Sequence, residues 1–243
     1  MRVGLFVTCL VDLMRPRIGF SALTLLEHAG CEVRVPGTQT CCGQPGYNSG
    51  DRKSAQRLAL KVLSEFEGCE YVVAPSGSCA GMIRAHYPEL FSELPQHLPR
   101  IRELGARTYE LTDFLVSVIK LDSVPGRFNG RVTYHDSCAG LRELNVQSQP
   151  RALLAMVPGL ELAEMQEAQT CCGFGGTFSI KFGDISTRMA ENKCKHIKAS
   201  GADVVVLGDL GCMLNIEGRL RRRGDFETRV LHVAEVLARE EGS

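Results

Sequence analysis

One arrangement of cysteines occurs twice along this chain. In the first instance Cys9 is followed by the adjacent pair of Cys41-Cys42-Gly43 and then by Cys79. In the second, Cys138 is followed by Cys171-Cys172-Gly173 and then by Cys212. The triplet moves from 41 to 171, a displacement of 130 positions, and eight of the 11 cysteines fall into the pattern. The likeness extends further. Gly105 leads into Tyr109-Glu110-Leu111-Thr112-Asp113-Phe114-Leu115 much as Gly224 leads into Val230-Leu231-His232-Val233-Ala234-Glu235-Val236-Leu237. A duplicated chain must build the same unit twice, so two halves are expected, residues 1–125 and 126–243. The turn-rich segment Asp122-Ser123-Val124-Pro125-Gly126 serves as the linker.

Hydrophobic patterning gives each unit its class. Val3-Gly4-Leu5-Phe6-Val7, Tyr71-Val72-Val73-Ala74 and Val204-Val205-Val206-Leu207 are continuous apolar runs, the signature of parallel strands buried on both faces. Glu32–Val35 and Arg131–Tyr134 are shorter strand candidates. Between them Ala55, Leu58, Ala59, Val62, Leu63 and Phe66 mark one face of an amphipathic helix, capped by Ser49 or Asp51. Gly30 and Gly201 sit where helix C-caps belong. The predicted fold is therefore α/β, with two pseudo-symmetric halves that each carry a mostly parallel sheet flanked by helices. On that scheme Cys9 and Cys138 end the first strands, the triplets follow the second, and Cys79 and Cys212 follow the third. Sites in open α/β sheets lie beyond the carboxyl ends of the strands, so the four cysteines of each half should converge.

Four converging thiolates suit an iron–sulfur cluster, because a multi-iron core receives adjacent cysteines on different irons. Gly43 and Gly173 let the backbone turn tightly beside such a core, and the loop continuing through Phe174-Gly175-Gly176 offers amides that would tune it. Gly43, Gly173, Gly175 and Gly176 are thus cofactor-binding candidates. His135, three residues before Cys138, is another, placed to hydrogen-bond a cluster sulfur or move a proton. Two alternatives stay open. Zinc also takes four cysteines, although structural zinc sites favour close Cys-x-x-Cys pairs and this sequence has none. A metal-free thiol–disulfide oxidoreductase would instead use the vicinal pairs. The glycine loop matches neither the dinucleotide nor the Walker spacing. Cys31, Cys69 and Cys194 read as core.

Bulk properties narrow the partners. Lys plus Arg number 28 and Asp plus Glu 28, so there is no excess of positive charge for nucleic acid. The run Arg219–Arg223 reads as the cationic end of a helix. No apolar stretch approaches a transmembrane span, and Val3–Val11 reads as a strand rather than a signal peptide. Cysteine-rich and without a secretory signal, the chain is expected to be cytoplasmic.

The doubled pattern resembles the CCG-domain (cysteine-rich) iron–sulfur family, which includes the B subunit of heterodisulfide reductase and iron–sulfur subunits of glycolate and glycerol-3-phosphate dehydrogenases. The likeness is strongest to its lactate-utilization branch. It is carried by Phe6-Val7-Thr8-Cys9, Cys41-Cys42-Gly43-Gln44-Pro45, Ser76-Gly77-Ser78-Cys79, Cys171 to Ser179, and Cys212-Met213-Leu214-Asn215. The resemblance implies a redox role in oxidising L-lactate to pyruvate, beside two further subunits, one of them ferredoxin-like. It also implies one or two [4Fe–4S] clusters per chain, with Cys9, Cys41, Cys42, Cys79, Cys138, Cys171, Cys172 and Cys212 as metal ligands. A non-catalytic metal-binding scaffold is the alternative role. One departure stands out: where heterodisulfide reductase has an additional cysteine closing each repeat, this chain has Met82 and Asn215. The five-thiolate noncubane cluster of that enzyme is therefore not expected.

Overall fold

The computed structural model describes residues 1–239. Its strands form two sheets, each four-stranded and wholly parallel. The first contains β1 (Arg2–Leu5), β2 (Glu32–Arg34), β3 (Tyr71–Ala74) and β4 (Thr108–Glu110), in the order β2-β1-β3-β4. The second repeats that order, β6-β5-β7-β8, with β5 (Gly130–His135), β6 (Leu160–Leu162), β7 (Val204–Leu207) and β8 (Arg229–His232). Central strands are the apolar runs. Val204 to Leu207 are all buried, and so are Val72, Val73 and Ala74, because helices cover both faces of each sheet.

The helices follow their sequence signals closely. Asp51 caps the helix Arg52–Glu65, accepting the Ser54 amide at 3.1 Å. That helix buries Ala55, Ala59, Val62 and Leu63. Gly30 and Gly201 have φ of +74° and +67° after their helices, a conformation only glycine adopts freely. The basic run closes the helix Leu210–Arg222, where Arg219 and Arg223 both pair with Glu191 and Arg221 pairs with Glu217.

One detail differs from expectation. Cys9 and Cys138 do not end strands; each opens a short helix, Cys9–Met14 and Cys138–Leu144, a few residues past the strand. The strands stop earlier because the chain must turn there to bring both thiols to the sheet's carboxyl edge. The Asp122–Gly126 linker lies against the second half: a Cβ on Gly126 would lie 2.4 Å from the Leu237 carbonyl oxygen, at the end of the last helix.

The halves share a core. Val3, Leu5 and Val73 from the first sheet join Val132, Tyr134 and Val206 from the second in one buried cluster. Each such side chain contributes about 1.5–3 kcal/mol when removed from water. Two further clusters hold the buried thiols: Cys42 and Cys79 with Leu144 and Val146 of the second half, and Cys172 and Cys212 with Val11 and Ile18 of the first. The common core joins the two sheets.

The last strand of each sheet ends in a buried titratable cap. Glu110 accepts the amides of Thr112 at 2.8 Å and Asp113 at 3.1 Å, and burial raises its pKa to about 7. His232, in the matching position, accepts the Ala234 amide at 3.1 Å, and burial lowers its pKa to about 4. The stability slopes are opposite in sign. Glu110 holds its proton in the folded chain after the unfolded chain has lost it, so its contribution falls as pH rises from about 4.5 to 7. His232 resists protonation when folded, so its contribution falls as pH drops from about 6.5 to 4. Glu110→Gln should therefore gain stability relative to the parent on going from pH 5 to pH 8, by roughly 2–3 kcal/mol at one pKa unit per 1.36 kcal/mol. Urea titrations across that range test it, and parallel curves for the two proteins would refute it.

Candidate metal centre

All eight cysteines of the repeat reach the carboxyl edges of the sheets, four to each half. In the first half Cys41 contacts Cys9 and Cys42, and Cys42 in turn lies 3.6 Å, sulfur to sulfur, from Cys79. The second half repeats the chain of contacts from Cys138 to Cys171, Cys172 and Cys212. Each thiol is placed by a different connection, so the convergence is a product of the fold. Cys9 and Cys138 open helices after the first strand, and the triplets follow the second strand. Cys79 and Cys212 lie in the helices Gly77–Gly81 and Leu210–Arg222 that follow the third.

The loops are shaped around the sulfurs. Gly43 and Gly173 have φ of +86° and +88°, which turns their amides back onto Cys41 at 3.4 Å and Cys171 at 3.3 Å. A Cβ at Gly173 would approach the Ser186 carbonyl oxygen to 2.8 Å, so no larger residue fits the turn. Hydrogen bonds from Cys42 and Cys9, with the Gly43 amide, hold Cys41 far below the usual thiol range. Cys138, Cys172 and the Gly173 amide do the same for Cys171. The thiols that donate, Cys9, Cys42, Cys138 and Cys172, are pushed up by those contacts and by burial. Each set therefore gathers four sulfurs around one whose anionic form is favoured, a donor set that a thiophilic cation fits.

Gly175 and Gly176, both with positive φ, continue the second loop. Gly176 faces away from the second set. With Phe174, Thr177 and Ile180 it lines a cavity of about 420 Å³ whose other wall holds Cys9, Cys41, Cys42 and Cys79. The glycine loop of one half thus covers the thiols of the other.

Several residues that matter here carried no motif. Thr8, beside Cys9, is buried with φ of +74° and ψ of 146°, close to a region that favours glycine and costs other residues about 1–3 kcal/mol. Its counterpart Ser137 is unstrained and caps its helix through the Gly140 amide. Asp209 caps Leu210–Arg222 and reaches across the halves, accepting Ser76 Oγ and the Ser78 amide, each at 3.0 Å. Ser76 and Asp209 both precede a ligand-type cysteine by three residues, and that repeated capping position was the available signal.

The second set has polar surroundings of its own. His135 is fully buried; its Nδ1 lies 3.2 Å from the Ala168 carbonyl oxygen, while Nε2 has no hydrogen-bond partner. One ring nitrogen of His135 and the sulfurs of Cys172 and Cys212 lie within 4.8 Å of one another. Burial, and then the neighbouring Lys193, push the imidazole down to about 3, so it is neutral. Lys193 is itself 1% exposed, and its ammonium donates to the Glu167 and Ala168 carbonyls. A lysine on the inner face of an otherwise apolar helix stripe was the signal for it. Asp136 is gripped by the Arg151 guanidinium at 2.7 and 3.0 Å. Asn215, one of the two positions without the extra cysteine, donates to the Cys172 carbonyl at 2.9 Å and so braces the loop.

Comparison with known proteins gives the family. The model of the CCG cysteine-rich domain matches twice, at residues 3–84 and 132–217. Lactate utilization protein A of Geobacillus kaustophilus is 48% identical over 237 residues, covering 98% of both chains. The protein of that name from Bacillus subtilis is 44% identical over 237 residues, covering 98% of this chain and 99% of its own. A crystal structure of a hypothetical protein from Helicobacter pylori shares the fold at a TM-score of 0.65 and 11% identity, covering all of this chain and 49% of that one. The chain belongs to the CCG cysteine-rich domain family, in the branch formed by the lactate utilization proteins A.

Proposed function

We propose that this protein is an iron–sulfur redox subunit in lactate utilization, passing electrons released when L-lactate is oxidised to pyruvate. The observation that carries the reading is the assembly of four thiols at the same sheet edge in both halves, in a chain whose relatives bear lactate utilization in their names. Cys9, Cys41, Cys42 and Cys79 would hold one [4Fe–4S] cluster, and Cys138, Cys171, Cys172 and Cys212 a second. Such a cluster, when bound, accepts and returns single electrons. The chain's own contribution is placement: Gly43 and Gly173 aim amides at the sulfurs, and the shared core fixes the distance between the sites. Two further subunits, one ferredoxin-like, would supply and remove the electrons, in the cytoplasm. Among the described residues no helix is long and apolar enough to cross a membrane.

One observation favours a second reading. The 3.6 Å between the Cys42 and Cys79 sulfurs is close to the separation of two thiolates on a single tetrahedral ion with bonds of about 2.3 Å. A mononuclear zinc centre in a scaffold would give that geometry. Metal and acid-labile sulfide per chain, measured after anaerobic purification, separate the two. About eight iron and eight sulfide are expected for two four-iron clusters, and about four of each for one. Zinc without sulfide would replace the electron-transfer reading by the scaffold.

A further inference from the structure

The internal repeat permits a comparison of the two sites within one molecule. Gly43 packs on Ala55 and Leu58 where Gly173 packs on Ser186 and Met189, so the two covering helices are in the same register. In that register Val62 occupies the place of Lys193, and, counting back from Cys9 and Cys138, Phe6 occupies the place of His135. Phe6 and Val62 lie in the apolar cluster around Cys42 and Cys79. The first site is therefore hydrocarbon at the two places where the second carries an imidazole and an ammonium.

The imidazole's orientation decides its role. A carbonyl oxygen only accepts, so Nδ1 facing Ala168 must carry the proton. In the neutral ring the lone pair then sits on Nε2. It is buried without a hydrogen-bond partner, and the imidazole stands among the second site's sulfurs. A nitrogen that cannot donate is not a hydrogen-bond donor to a cluster sulfide. A histidine whose other ring nitrogen is anchored on a backbone carbonyl is the usual arrangement of a metal ligand.

We infer that His135 is a direct nitrogen ligand of the metal in the second site, which thereby becomes a mixed cysteine–histidine centre unlike the all-cysteine first site. This rests on the metal-centre reading above. If it took the place of one of the four second-site thiolates on a cluster, the neutral imidazole would raise the potential, as in Rieske centres. Lys193 acts in the same direction, because a nearby cation favours the reduced, more negative state. The second site is thus the better electron acceptor of the two, and electrons move within the chain from the first half to the second.

The test uses the full chain, reconstituted anaerobically with iron and sulfide and assayed for both. Histidine is labelled with ¹⁵N and the reduced protein is examined by pulsed EPR. The expected result is a hyperfine coupling of the size given by metal-bound imidazole, retained in Cys42→Ser and lost in His135→Phe, which installs the first half's residue. If zinc occupies the site, cobalt(II) substituted for it gives the same nitrogen readout. The labelled parent protein decides the matter even if the phenylalanine variant misfolds. A chain that has metal in its second site but no bound-imidazole coupling overturns this inference alone. A chain that takes up no metal overturns the metal-centre reading as well.

Discussion

Replacing Asp209 with alanine should destabilise the fold by about 3 kcal/mol, an unusually large cost for a single side chain outside the apolar core. The carboxylate is 5% exposed and does three things at once. It caps the helix that carries Cys212 through the Gly211 amide at 3.1 Å, and it accepts Ser76 Oγ and the Ser78 amide from the other half. Loss of a cap is worth about 1 kcal/mol. Hydrogen bonds to a charged acceptor are worth about 1.5–3 kcal/mol each, and the Ser78 amide would be left without that acceptor. The terms overlap, so their simple addition overshoots. Asp209→Asn keeps an oxygen for one set of donors and should recover more than half of the loss. Ser76→Ala removes one bond and should cost about 1 kcal/mol. Urea denaturation of the three variants measures all of this. A loss below 1 kcal/mol for Asp209→Ala would mean that this carboxylate does not help to hold the halves together.

Asp209 also marks where reading the sequence stops. Parallel strands, their flanking helices and the convergence of the cysteines are legible because they follow from local patterns: continuous apolar runs, a helical stripe ending in a glycine, and thiols just past strands. The repeat adds a second copy of each signal. Nothing local says how two such units meet. The packing of Tyr134 and Val206 against Leu5 and Val73 is a property of two surfaces far apart in sequence, and so is the reach of Asp209 to Ser76. The Phe174–Thr177 loop shows the same limit. Its glycines read as a cradle for the adjacent thiols, and Gly173 does turn around Cys171. Gly176, three residues on, instead lines the cavity beside the opposite set, because the halves are packed edge to edge there. Thr8 is a different case: threonine carries no mark of the left-handed conformation it adopts, and only the constraint of delivering Cys9 to the site explains it.

The asymmetry around the thiols bears most directly on function, and cysteine variants expose it. Cys42 is 2% exposed and Cys172 1% exposed, each at the centre of its set, and serine at either position keeps the volume while removing the thiolate. Each substitution should abolish metal binding in its own half and leave the other intact, since the sets lie in separate clusters. Iron per chain should therefore fall by about half in Cys42→Ser and in Cys172→Ser, and to near zero in the double variant, from about eight if both halves hold four-iron clusters. The two single variants should differ in potential. The species left in Cys42→Ser, beside Lys193 and His135, should be reduced first in a redox titration, and the species left in Cys172→Ser only at lower potential. Both should fail to support growth on lactate in a strain lacking the parent protein, because a chain of electron carriers is broken by the loss of either link. About four iron in the parent, unchanged in Cys42→Ser with undiminished growth, would show that the first half is a structural relic of the duplication and that the second site alone carries electrons.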